Sequence, residues 1–88
     1  MLEDIKKMQG INHNDFDDII QKYIDSAKMD LQMCGIEKSK ISISDNLIYS
    51  AIVSYVKSFI DIDNSELFAN SYAMQKDALR HISEYKSK

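Results

Sequence analysis

Apolar residues along this chain recur mainly at helical spacing. Leu2, Ile5 and Met8 stand three residues apart and are followed by Gln9-Gly10, which predicts one short amphipathic helix and its stop. In the next segment Phe16, Ile20, Tyr23, Ile24, Ala27, Leu31 and Cys34 fall within an arc of about 100° on a wheel of about 3.6 residues per turn, predicting a helix of about twenty residues. Asn14 is placed to cap it, Asp17 answers three residues later, and Asp15, Asp17 and Asp18 suit the positive end of its dipole. Gly35 sits where a glycine commonly ends a helix. Asp18, Gln21, Asp25 and Gln32 lie opposite the stripe as a solvated face, whereas Ile19, Met29 and Met33 occupy a flank that a lone subunit's core does not account for.

Between Gly35 and Asp45 the alternation Lys40-Ile41-Ser42-Ile43-Ser44 predicts a short extended loop or arm, too short for a sheet of its own. Whether it folds onto its own subunit or reaches a neighbour is open at this level. Ser44 or Asp45 can cap a third helix running to about Ile62, whose apolar arc from Leu47 to Ile62 covers over half the circumference. Such a helix belongs at the centre, between two or more neighbours, or else is covered on one side by another chain. Asp61-Ile62-Asp63-Asn64-Ser65-Glu66 starts like a calcium loop, but Glu66 stands where glycine is required and Tyr72 where the closing glutamate belongs. It reads instead as a tight connection in which Asn64 or Ser65 caps a fourth helix carrying Leu67, Phe68, Tyr72, Ala78, Leu79 and Ile82. Ser71 and Gln75 lie within that stripe and need partners if buried. Lys86-Ser87-Lys88 reads as a frayed basic tail.

Composition sharpens this picture. With no proline and only two glycines, little turn punctuation interrupts the helices. The expected fold is all-α: a small bundle of about four helices, one short and N-terminal and three longer, forming a single domain over residues 1–88. Hydrophobic residues make up 44% of the chain, too many for intrinsic disorder, yet no apolar run approaches the roughly 20 residues of a membrane span. The acidic start Met1-Leu2-Glu3-Asp4 is unlike a signal peptide. One cysteine makes no internal disulfide and, with two distant histidines, no recognisable zinc site. Fourteen acids against 11 bases disfavour tight nucleic-acid binding, and the pairs Lys6-Lys7 and Lys38/Lys40 read as solvated surface.

No nucleophile beside a base, sheltered carboxylate pair or glycine-rich phosphate cradle is signalled, so no catalytic, cofactor or metal residue is assigned and an enzyme is not expected. His13 and His81 read as surface histidines and Cys34 as an inert core thiol. Met1, Met8 and Met74 read as core filling. Met29 and Met33, sharing a flank, read as an adaptable contact surface.

The order of elements carries a family likeness. Leu2-Glu3-Asp4-Ile5-Lys6, then Asp15-Phe16-Asp17-Asp18-Ile19-Ile20, Ile24-Asp25-Ser26-Ala27, Ala51-Ile52-Val53-Ser54-Tyr55-Val56 and the final Leu79-Arg80-His81-Ile82 span almost the whole chain. So arranged, it resembles the small head-tail connector proteins of tailed bacteriophages, also described as DNA-packaging adaptors. It departs from many members in having Lys7-Met8 for a Tyr-Leu pair and Leu31 for an aromatic residue. The resemblance implies a structural virion protein without cofactor, made in the bacterial host cytoplasm and located at the head-tail junction. It implies a homo-oligomeric ring below the portal protein, docking of a downstream neck or tail-completion protein, double-stranded DNA passing through without specific binding, and no membrane. A head-to-tail ring needs two different complementary patches per subunit. Ile19, Met29, Met33, Ser71 and Gln75 are the candidate subunit interface, and Asp18 and Asp25 the candidate DNA-channel or solvent face. The competing reading is a small helical protein-binding accessory or regulatory module of a phage or bacterium. Within it, a helix-turn-helix regulator is opposed by the acidic charge and by Arg80 being the sole arginine.

Overall fold

In the computed structural model, which describes residues 1–87, four α-helices follow one another: α1 (Leu2–Met8), α2 (Asp17–Met33), α3 (Asn46–Ile60) and α4 (Ser65–Arg80). Short 3-10 turns at Lys38–Lys40, Ile62–Asn64 and Ser83–Tyr85 link or follow them. The all-α expectation holds, and no strand forms among the described residues.

Gly10 and Gly35 end α1 and α2 by the same device. Gly10 has φ +69° and Gly35 φ +106°. Past α1 the Gly10 amide donates to the Lys7 carbonyl and the Ile11 amide to the Lys6 carbonyl; past α2 the Gly35 amide donates to Gln32 and the Ile36 amide to Leu31. This paired closure is the Schellman motif, which turns the chain back and brings the next apolar residue against the helix it has left. Ile36 is accordingly fully buried and Ile11 half-buried.

The remaining core comes mainly from one side of each helix: Ile5 of α1, Ile20, Ile24, Ala27 and Leu31 of α2, Ile48, Ala51, Ile52 and Val56 of α3, and Tyr72 and Leu79 of α4. α3 packs on both α2 and α4, as its wide apolar arc requires, and α1 packs on α2. Asp45 caps α3: its Oδ1 accepts from the Leu47 amide at 2.9 Å and the Ile48 amide at 3.2 Å.

Several local expectations are corrected. Residues 36–44 are not extended, because Ile36 is drawn into the core and Lys38–Lys40 coils into a 3-10 turn; the segment folds onto its own subunit, with Ile41 packed against the core. The basic tail is docked instead of frayed. The Glu37 amide donates to the Tyr85 carbonyl at 2.6 Å, the Ser87 amide donates to the Gly35 carbonyl at 2.7 Å, and Ile36 and Lys86 form an isolated antiparallel bridge. Lys88 lies outside the described residues. Neither Asn14 nor Asn64 caps a helix with its side chain. The Asn64 amide nitrogen donates instead to Asp61 Oδ1, and Asn14 Oδ1 accepts from Lys6 Nζ. Met8 and Met74 are exposed, leaving only Met1 of the three expected core methionines against the core.

Lys6 is the largest departure from the expected solvated basic pair. It is 4% exposed, and its ammonium lies 2.8 Å from Asn14 Oδ1 and 2.9 Å from Asp17 Oδ1, with Glu3 at 3.9 Å. Asp17 adds an ion pair to the hydrogen bond that Asn14 accepts. Burying an ammonium is tolerable because carboxylate and amide oxygens replace its water. This arrangement pins the turn between α1 and α2.

Candidate assembly surfaces

Of the large apolar side chains left in solvent by the fold, Phe16, Ile19, Phe59 and Ile62 gather where α2 begins and Met29 and Met33 lie near its end, while Met8, Ile43, Leu47, Leu67 and Met74 are scattered elsewhere. At the start of α2, Phe16, Ile19, Tyr23, Phe59, Ile60 and Ile62 line a groove of about 480 Å³. Phe16, Ile19 and Phe59 are each about half exposed, and Ile62 is 85% exposed. The groove exists because α2 and α3 run antiparallel, so the first turn of one meets the last turn of the other. Tyr23 stacks on Phe59 with ring centres 4.7 Å apart, and a run of aromatic contacts continues through Tyr55 to Tyr72 on α4. These stacked rings hold the groove floor in place.

Met29 and Met33 form the second place, exposed by 59% and 79% beside Asp25, Ser26, Asp30 and Tyr55. They share the exposed side of α2 with Ile19 but are not brought together with it, since ten residues of helix separate Ile19 from Met29 by about 15 Å. Asp18 and Asp25 are exposed, and Asp25 Oδ1 accepts from Gln21 Nε2 at 3.0 Å.

Ser71 and Gln75 are half-buried on α4. Gln75 finds a partner inside the subunit, its Nε2 donating to Ser50 Oγ at 2.8 Å, while its Oε1 is buried with no protein partner. A small depression of about 160 Å³ adjoins it, lined by Leu47, Ser50, Ala78, Leu79 and Ile82. The two α4 residues do not join the methionines of α2 in one depression.

The titratable groups serve packing. Asp30 Oδ2 accepts from the Tyr72 hydroxyl at 2.5 Å and lies 3.2 Å from Lys76 Nζ, tying α2 to α4. Burial, reinforced by Asp30, pushes the Tyr72 hydroxyl far above its usual range. Burial also raises Cys34, whose thiol donates to the Leu31 carbonyl at 3.1 Å, in keeping with an unreactive thiol. His13 and His81 each stand near one carboxylate, Asp15 at 3.7 Å and Asp77 at 3.6 Å. Among the described residues no cluster of three histidine, cysteine, aspartate or glutamate side chains could hold a metal.

Sequence spacing singles out Ile19, Met29 and Met33 but assigns Phe16, Phe59 and Ile62 to apolar helical arcs. Their position at helix ends, where a stripe runs past the neighbour that would cover it, is the signal that could have found them. No helix among the described residues is long and apolar enough to cross a membrane. No curated protein and no solved structure shows significant similarity to the chain. A family model described as phage connector protein matches residues 1–86.

Proposed function

Because the chain belongs to the phage connector protein family, and so has a connector-type structural role, we propose that it assembles into a ring below the portal protein. In this reading the ring extends the DNA channel at the head-tail junction of the virion and presents a platform for a downstream neck or tail-completion protein. The observation that carries it is the placement of large apolar side chains on two separate parts of α2, the groove at Ile19 and the Met29/Met33 surface. A lone small subunit has no use for that much exposed apolar surface, whereas a closed ring needs two unlike patches per subunit. Asp18 and Asp25 are assigned to a channel or solvent face, where carboxylates repel phosphates and let double-stranded DNA pass without being held. Ser71 and Gln75 are assigned to the same subunit interface, Gln75 keeping its internal bond to Ser50.

Light scattering over a concentration series, with and without the cognate portal, tests this. A defined high-order species in either condition supports the ring. A monomer that ignores the portal overturns it.

A further inference from the structure

One side of α2 carries an uncovered strip that runs nearly its whole length. Ile19, Ser26 and Met33 repeat along it every seven residues, with Lys22 and Met29 between them, and all five are exposed. Tyr23 and Asp30, half-buried, stand along its edge. At 3.6 residues per turn these positions span an arc of about 120°, away from the buried Ile20, Ile24, Ala27 and Leu31. Ile19 and Tyr23 line the apolar groove, and Ser26, Met29, Asp30 and Met33 line the second depression, so the strip joins the two surfaces. Steps of three and four residues are those of a helix seam that packs on another helix.

The strip is its own complement about Ser26. Three residues to either side stand Tyr23 and Met29, an aromatic ring and a thioether that attract one another. Four residues to either side stand Lys22 and Asp30, of opposite charge, and seven to either side Ile19 and Met33, both apolar. Lys22 has no ion pair among the described residues. Asp30 meets both Tyr72 and Lys76 through Oδ2, and its Oδ1 takes no hydrogen bond among the described residues. A second α2 laid antiparallel, with the two-fold axis at Ser26, sets each of these residues against its complement, and each pair occurs twice. The small Ser26 side chain at the axis lets the two helices approach.

We propose that the free chain pairs through α2 with a second copy of itself, antiparallel and two-fold about Ser26. The pair covers the groove end and the methionine end together in one closed contact. This goes beyond the ring reading, since an isologous pair cannot propagate and must open before either surface meets a neighbour in a ring.

The test uses the full-length chain in a Cys34→Ser background. Ser26→Cys puts a thiol on the axis, and Gln32→Cys puts one on the exposed face outside the strip. Thermal melts check that both keep the fold. On mild oxidation Ser26→Cys is expected to form its disulfide dimer several-fold faster than Gln32→Cys. In sedimentation equilibrium of the chain without these thiols, Lys22→Glu replaces two opposite-charge pairs by two like-charge pairs and should weaken the dimer about tenfold. Asp25 borders the strip and would face its own copy across the axis, so Asp25→Asn should tighten it. A Ser26→Cys dimer that forms no faster than the Gln32→Cys dimer overturns the proposal, as does a chain that sediments as a monomer or a dimer indifferent to Lys22→Glu. Assembly on the cognate portal is scored separately by light scattering: its failure overturns the ring reading alone, and its success leaves that reading standing whatever the thiols show.

Discussion

The carboxylate of Asp45 joins two ends of the fold: Oδ1 caps α3, and Oδ2 accepts from the Tyr85 hydroxyl at 2.6 Å. One side chain therefore fixes where the central helix begins and where the last turn of the chain rests. The bond lowers the Asp45 carboxyl below its ordinary value, chiefly through Tyr85, and pushes the Tyr85 hydroxyl up to about 12.

Tyr85→Phe is expected to lower stability by about 1 kcal/mol, the usual net value of one hydrogen bond. Asp45→Asn keeps a capping oxygen and should cost a similar amount, whereas Asp45→Ala also removes the cap and costs about 1 kcal/mol more. Urea denaturation of the single and double variants checks this. Strictly additive losses for Asp45→Ala and Tyr85→Phe would rule out the coupling.

Alkaline stability follows from the same pair. Tyr85 has a folded value of about 12, above the ordinary tyrosine value of about 10. The unfolded chain therefore loses this proton first, so the contribution is complete below about pH 10 and is lost as pH rises toward 12. On the acid side, the Asp45 contribution is present above its ordinary value near 3.8 and is lost as pH falls below it. Tyr85→Phe should show a shallower loss of stability from pH 10 upward in a series of urea midpoints. An unchanged slope would assign the alkaline loss to other tyrosines, Tyr72 first.

The two glycines should differ in tolerance. No atom lies within 4 Å of a Cβ built at either, so the penalty is conformational alone. Gly10, with φ +69°, lies close to the left-handed region that asparagine enters, while Gly35, with φ +106°, lies beyond it. Gly10→Ala is expected to cost about 1 to 2 kcal/mol and Gly10→Asn less, whereas Gly35→Asn should give no such relief. Thermal melts of the four Ala and Asn variants decide it, and equal relief at both sites would refute the assignment.

For Lys6, removing the partner should hurt more than removing the charge. Asp17→Ala leaves a buried ammonium with Asn14 as its close oxygen partner and is expected to cost about 1 to 3 kcal/mol, moderated because Asp17 is partly exposed. Lys6→Met fills the same space but leaves the Asp17 carboxylate without its cation; because that side chain is partly exposed and can turn to water, the loss should be the smaller of the two, about 1 kcal/mol. The Lys6→Met/Asp17→Ala double variant should recover part of the Asp17→Ala loss in urea titrations; a double variant worse than either single would contradict this.

Met29→Ser and Met33→Ser should separate folding from assembly. Both side chains are exposed, so monomer stability should move by no more than about 0.5 kcal/mol, while the proposed ring weakens in light scattering. A large fall in melting temperature would show that the methionines serve the subunit's own core.

Much of this architecture was legible in the residues because helix signals are local. The α1 stop at Gly10, the end of α2 at Gly35 and the Asp45 cap all depend on residues within one turn of the feature they specify. The docked tail was not legible, since Tyr85 meets Glu37 and Asp45 from 48 and 40 positions away and no spacing rule relates them. Lys6 was missed for the same reason: its partners Asn14 and Asp17 lie beyond a turn whose path the sequence pattern does not specify. In the candidate surface, Ile19, Met29 and Met33 were recognisable as off-stripe apolar residues. Phe59 and Ile62 were not, because a helix rich in apolar residues does not reveal which of them its neighbours will cover.

The stitching of Tyr85 and Ser87 to residues 35–37 bears on synthesis. A ribosome delivers the chain from its N-terminal end, so α1, α2 and α3 leave the exit tunnel before the segment that closes over Ile36 and completes the Asp45 contact. Until Tyr85 and Ser87 emerge, the nascent bundle has an open seam over Ile36.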